Sequence, residues 1–280
     1  MVVRFLVALV VTVPLLDGGM AERLAGLTRT SLWIEAGSIP VAFGAFHPQG
    51  MVKIGDTFFV SSVDKGTQVG HLFKIDNSGK LLADLKLVEG AMYHPGGIDY
   101  DGHDIWVPLA EYRPDSHSIV YRVNPDTMKA TEVLRVADHL GAVVHDTDDD
   151  SVHAVSWGSR RFYKWTRGGA GPMTQTLNSS YYVDYQDCKY IRGHRMVCSG
   201  VADLRRAPGL PAVRLGGLEL ISLADDRPIH QVPIALVTPS GVGMTQNPLW
   251  LEPHGTGLRA YFMPEDNHST IYIYDVDTAR

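Results

Sequence analysis

Three histidines and an aspartate recur along the chain at near-equal steps. His47, His94, His139 and Asp184 are separated by 47, 45 and 45 residues. Each lies shortly before a polar turn, and Gln246 holds the corresponding place before a fifth. Three imidazoles and a carboxylate meeting at one point have the composition of a first-row metal centre. Without a metal the same groups would move protons near neutral pH, because imidazole titrates there. His47, His94, His139 and Asp184 are therefore expected to hold a divalent cation. A cation so held would polarise a carbonyl and lower the pKa of a bound water. Hydrolysis of a small ester or lactone is the reaction class this implies. The competing reading is a non-catalytic binding protein whose histidines make structural hydrogen bonds, copied by repetition.

Side chains so distant in sequence converge only if the elements carrying them repeat. After residue 30, short β-branched and aromatic runs alternate with Gly, Asp, Asn and Pro turns, the pattern of an all-β chain. The runs align as hairpins: His47–Ile54 with Thr57–Val63, His94–Tyr100 with Asp104–Leu109, and His139–Val144 with Val152–Trp157. Val183–Ile191 with Met196–Gly200, and Pro248–Leu251 with Arg259–Met263, complete the series. A third strand follows each hairpin and a fourth follows four of them. A period of about 45 residues with four strands per unit specifies a β-propeller. The count is five blades, with six as the alternative. The last blade lacks its fourth strand at the C-terminus, and Thr30–Glu35 is expected to supply it, closing the ring and removing an exposed edge.

In such a ring the first strand of each blade lines the axial channel, so the listed histidines should open onto one mouth. Loops between second and third strands surround that mouth and bring Asp64, Glu111 and Glu265, each followed by a histidine: His71, His117 and His268. Asp184, Glu111 and Glu265 are the expected catalytic groups, the two glutamates orienting the substrate. Gln49, Gln246, Asp64 and Arg205 are expected to touch it. Arg205 lies in a long loop, Val201–Gly216, expected to act as a lid or anion clamp. Trp106, Trp157 and Trp165 are expected in the core between blades. The acidic run Asp146–Asp150 falls on the opposite face. It lacks the glycine and terminal glutamate of an EF-hand loop and reads as a solvated turn.

His-Pro-Gln-Gly at 47–50 and His-Pro-Gly-Gly at 94–97, each leading into an apolar strand, resemble strand openings of the gluconolactonase/regucalcin and strictosidine-synthase-like propellers. The resemblance covers the repeat pattern across most of residues 30–280. In regucalcin-like enzymes it implies an axial divalent metal held mainly by Glu, Asn and Asp, and six blades. The present chain shows no matching carboxylate-and-amide set. It also resembles an uncharacterised bacterial propeller family, which implies no particular chemistry.

Charge and termini narrow the partners. The 25 Lys and Arg against 31 Asp and Glu give a net charge of −6 with no basic block, which argues against nucleic acid and anionic membrane. A basic start at Met1–Arg4, an apolar run over Phe5–Leu16 and small residues before Glu22 read as a signal peptide cleaved after Ala21. The apolar run is too short to span a bilayer as a helix. The expectation is a secreted or periplasmic monomer, a single propeller domain over 22–280, with a small-molecule ligand at the channel mouth. If Arg192-Gly193-His194 forms a hairpin loop, Cys188 faces Cys198 across two strands. An oxidising compartment would then let them form a disulfide, two free buried thiols being the alternative. No GxSxG, HExxH, Walker A or dinucleotide glycine motif is present.

Overall fold

Runs in which β-branched and aromatic side chains alternate with smaller or polar ones become strands, and the turn residues between them become tight connections. A computed structural model describes residues 19–278. Residues 1–18, which carry most of the expected export signal, lie outside the described residues. The described chain opens with a short helix, α1 (Met20–Gly26), and the strand β1 (Trp33–Pro40). The expected cleavage point after Ala21 falls inside α1, where Met20 and Ala21 are both buried.

Five antiparallel sheets follow, and they are the blades of a propeller. Blade 1 is β2 (His47–Ile54), β3 (Thr57–Asp64), β4 (Val69–Asp76) and β5 (Leu81–Leu87). Blade 2 has an interrupted inner strand, β6 (Met92–Pro95) and β7 (Asp99–Tyr100), then β8 (Ile105–Glu111), β9 (Ser118–Val123) and β10 (Ala130–Val136). Blade 3 is β11 (Leu140–Asp146), β12 (Ser151–Ser156), β13 (Arg161–Trp165) and β14 (Met173–Leu177). Blade 4 is β15 (Asp184–Ile191), β16 (Arg195–Leu204), β17 (Val213–Ser222) and β18 (Arg227–Ile234). Blade 5 contributes β19 (Leu249–His254), β20 (Gly257–Phe262) and β21 (Thr270–Val276), and β1 completes it as the outermost strand. The ring closes as expected, but its closing strand overlaps the predicted Thr30–Glu35 only from Trp33 and extends beyond it to Pro40. Gly37 and Ser38 look like a break in sequence. In the fold the register shifts between Glu35 and Gly37, and pairing with β21 runs on to Pro40.

The axis is filled by one ion pair. In β15, alternation turns Asp187 and Lys189 toward the axis and Cys188 the other way. The Asp187 carboxylate accepts the backbone N–H of Met51 at 3.0 Å, of Ile98 at 3.1 Å and of Leu249 at 3.1 Å. Those donors belong to the inner edges of blades 1, 2 and 5. Lys189 Nζ donates to Asp187 at 2.5 Å and to the Ile98 carbonyl at 2.5 Å. Four blades are thus joined through one carboxylate. The glycines of the repeated openings make this approach feasible. A Cβ on Gly50 would lie 2.4 Å from the Ile98 nitrogen, and one on Gly97 would lie 2.8 Å from Asp187.

Facing sheets bury apolar layers between blades, such as Val52, Phe59, Leu72, Ile98, Ile105 and Val107 between blades 1 and 2. Cys188 and Cys198 stand opposite each other in β15 and β16 and are joined in a disulfide, as the register predicted. Trp106 and Trp165 are core residues as expected. The expected loop Val201–Gly216 is mostly strand. Val201 pairs with Gly216 and Leu204 with Val213, leaving a connection of residues 205–212 at the tip of an extended hairpin. Alternating apolar residues and the bidentate Arg214–Asp203 pair hold that hairpin together.

Removing one member of a buried ion pair leaves the other charge uncompensated, at a cost of about 3–5 kcal/mol. Asp187→Asn and Lys189→Met are each expected to lower the unfolding free energy by that order in urea titrations. A loss below about 1 kcal/mol would show that the axial pair does not hold the blades. A second expectation concerns Asp99, which is fully buried and accepts the Tyr190 N–H at 3.0 Å. Burial pushes its carboxyl from 3.8 up to about 7, against the pull of Lys189. A raised pKa means that stability is present at low pH and lost as pH rises through the folded value. The stability of Asp99→Asn relative to the unsubstituted protein should therefore grow from about pH 4 to about pH 7 and level off above. A flat difference would mean that Asp99 is ionised throughout.

Candidate functional site

Three of the repeated side chains stand at matching offsets from backbone groups of the inner edges. Met51 and Ile98 donate to Asp187, and four residues before them stand His47 and His94. Val143 donates to the Gly97 carbonyl of the neighbouring inner edge, and four residues before it stands His139. Asp184 begins β15, three residues before Asp187. In blade 5 the pattern changes. Gln246 lies in a 3-10 turn, Met244–Gln246, and takes a hydrogen bond from Arg214.

The four side chains share a level but do not converge. Each finds a nearer partner. His47 Nδ1 meets Asp266 at 2.6 Å, in the loop before β21. Asp184 is exposed, 3.7 Å from Arg160. His139 Nδ1 lies 2.9 Å from the Glu111 carbonyl and 3.1 Å from that of Arg113. Carbonyls only accept, so His139 carries its proton on Nδ1 and keeps Nε2 as the lone pair. The expected four-ligand centre is replaced by a closer pair, His94 and His139, with ring centroids 5.1 Å apart.

Around that pair the mouth is aromatic. His94 stands edge-on to Tyr112 at 4.3 Å and lies 6.0 Å from Trp157. Trp157 stands edge-on to His139 at 4.6 Å and to Tyr112 at 5.9 Å. Trp157 is 40% exposed, in a 3-10 turn after β12, not in the core as expected. The strand pattern stops at Gly158, and that was the available signal. Tyr93 stacks on Tyr112 at 6.3 Å, and the Lys65 ammonium lies 5.0 Å from the Tyr112 ring centroid. His94 itself is only 6% exposed, and its Nδ1 is buried without a hydrogen-bond partner. Burial, followed by the nearby charges of His139, His47 and Lys65, holds its pKa well below the ordinary imidazole value. Burial also lowers that of His139, against the two carbonyl hydrogen bonds.

The other expected site residues are engaged. Gln49 is buried at the β2 bulge and donates to the Pro48 carbonyl at 3.2 Å. Asp64 accepts from the Gly66 and Thr67 N–H groups of its own loop. Glu111 takes Arg113 at 2.8 Å and His117 at 3.0 Å. Glu265 accepts from Ser240 at 3.0 Å and Tyr272 at 3.1 Å. His71 is not in a loop but in β4, stacked against Phe46 and Phe73. Arg205 is exposed at the hairpin tip. Tyr112 and Lys65 were missed, although each directly follows a residue already singled out, Glu111 and Asp64.

At the other end of the ring, among the described residues, Asp146, Asp149 and His194 are the group whose ligand atoms lie within 4.8 Å of one another. Sequence spacing placed the acidic run there but did not pair it with His194, which arrives on the β15–β16 turn. These groups serve one another. Asp146 takes His194 at 2.8 Å, Asp149 takes Lys164 at 3.0 Å, and Asp148 accepts the Gly193 N–H at 2.8 Å.

A protein family of unknown function, DUF6454, matches residues 7–279. No curated protein matches the sequence. Among solved structures, the tail fiber of Staphylococcus aureus phage P68 aligns over 92% of this chain at 10% identity, with a TM-score of 0.54. The chain spans 55% of that protein's length. A hypothetical protein from Leishmania major aligns at 9% identity over 87% of this chain and 90% of its own, with a TM-score of 0.48. A luciferin-regenerating enzyme does so at 9% over 82% and 76%, with a TM-score of 0.45. At 10% identity the likeness to the tail fiber speaks to the fold alone, and the narrower likeness to gluconolactonases or strictosidine-synthase-like proteins is not confirmed.

The imidazoles of the two ends should titrate differently. His94 and His139, whose charged forms burial disfavours, are expected to titrate below the ordinary imidazole value, whereas His194, held up by Asp146, is expected to titrate above it. Ring-carbon NMR shifts followed from pH 8 to 5 would show this order. A His94 midpoint above that of His194 would contradict the burial argument.

Proposed function

The chain belongs to this family of unknown function, and from that premise we propose that it is a binding propeller whose channel mouth holds a small molecule between His94, His139, Tyr112 and Trp157. The observation that carries the reading is the buried, unpartnered Nδ1 of His94 beside a half-exposed tryptophan. A buried polar atom left without a partner costs about 1–3 kcal/mol. A ligand that reaches this nitrogen recovers the loss and gains aromatic contact at once.

Binding is favoured over hydrolysis by the same geometry. A cation at the mouth would have to draw His47 from Asp266 and Asp184 from beside Arg160. A proton-transfer role is disfavoured because a base works best with its pKa near the working pH, and burial lowers both His94 and His139. We propose further that the protein is exported. The apolar run at Phe5–Leu16 and the Cys188–Cys198 disulfide support this, and no helix among the described residues is long and apolar enough to cross a membrane.

A ligand-observed NMR screen of small aromatic and polar fragments tests the reading. Hits are expected to weaken at least tenfold with Trp157→Ala and with His94→Ala, while circular dichroism and unfolding midpoints stay close to those of the unsubstituted protein. Hits that survive both substitutions would move the binding site elsewhere.

A further inference from the structure

The charges around the mouth are unevenly settled, and they bear on what the proposed site takes. Its carboxylates are occupied: Glu111 by Arg113 and His117, Asp266 by His47, and Asp64 by N–H groups of its own loop. Lys65 differs. It is exposed at the tip of the β3–β4 loop, its ammonium lies over the Tyr112 ring, and among the described residues it forms no ion pair with a carboxylate. That ring is also the wall against which His94 packs at 4.3 Å. One cation without a carboxylate, the imidazole whose buried Nδ1 lacks a hydrogen-bond partner and one half-exposed indole are therefore all neighbours of the Tyr112 ring.

The shapes around this ring point the same way. Tyr112 and Trp157 meet at an interplanar angle of 82°, and His139 and Trp157 at 80°. Walls that meet edge to face leave the exposed indole as the surface on which a flat ring can stack. The unpartnered Nδ1 of His94 would donate to an oxygen when it carries the ring proton, and an ammonium favours that oxygen when it is anionic.

We infer that the ligand of the channel mouth is an aromatic carboxylate, its ring against Trp157 and its carboxylate between Lys65 and His94. This rests on the mouth being the binding site. Lys65 is then a specificity residue. It selects the charged form, while Trp157 and the imidazole pair supply contact that a neutral ring would share.

Benzoate and benzamide serve as matched probes, equal in shape and different in charge. Their binding is followed by Trp157 fluorescence and by the ring shifts of His94. Benzoate is expected to bind about fivefold more tightly than benzamide at low salt, the scale of one partly exposed ion pair. Lys65→Met should remove that difference, Lys65→Arg should keep most of it, and added salt should narrow it. Because Lys65 is exposed in a loop, its replacement leaves the fold intact. Equal binding of both probes, or a preference that survives Lys65→Met, overturns the carboxylate inference while leaving the binding mouth in place. If neither probe moves the Trp157 or His94 signals, both the inference and the site it rests on are overturned.

Discussion

A single carboxylate organises this molecule. Asp187 stands on the propeller axis and gathers N–H groups from three other blades together with the ammonium of Lys189 from its own. A buried charge is tolerated only when it is paired and its lone pairs are used, and here every acceptor site has a donor. Side chains take the place of an open channel at this level. The inner strands can approach so closely because glycines stand at Gly50 and Gly97, where a methyl group would collide with neighbouring backbone or with Asp187 itself.

From that hub the rest of the functional geometry follows by counting residues. His47 and His94 lie four residues before backbone groups pinned to Asp187, so the starts of these two inner strands are held at the same offset from it. There each side chain takes its nearest partner. His47 reaches the β20–β21 loop and Asp184 turns toward Arg160, while His94 and His139 meet over the middle. The result is a shallow aromatic mouth above a sealed axis. Burial disfavours the charged forms of His94 and His139, neither of which is hydrogen-bonded to a carboxylate.

The two ends of the ring use the same residue types for different ends. At the mouth, histidines stand among aromatic rings and one nitrogen is left open. At the far end, His194 and the acidic turn of blade 3 satisfy one another and tie blade 3 to blade 4. Composition alone could not separate these roles, since both ends carry histidine and aspartate in similar proportion. What separates them is that at the mouth the Nδ1 of His94 has no hydrogen-bond partner, whereas His194 and its acidic neighbours are paired.

Much of the fold was legible in the linear chain because it depends on short-range chemistry that repeats. Turn residues, two-residue alternation and a period near 45 define hairpins, blades and their number, and the hairpin register alone set Cys188 opposite Cys198. The height of His47, His94 and His139 was equally readable, because it is a count along a strand. Their company was not. Whether His94 meets His139 or a metal, whether Trp157 is core or wall, and which groups surround the axis depend on the twist of each blade and on packing between segments from different blades, 136 residues apart in the case of Met51 and Asp187. Asp187 shows this best: its neighbours at Met51 and Leu249 come from blades at opposite ends of the chain. Local pattern decides which way a side chain faces along its own strand. Only closure of the ring decides what it faces across the gap.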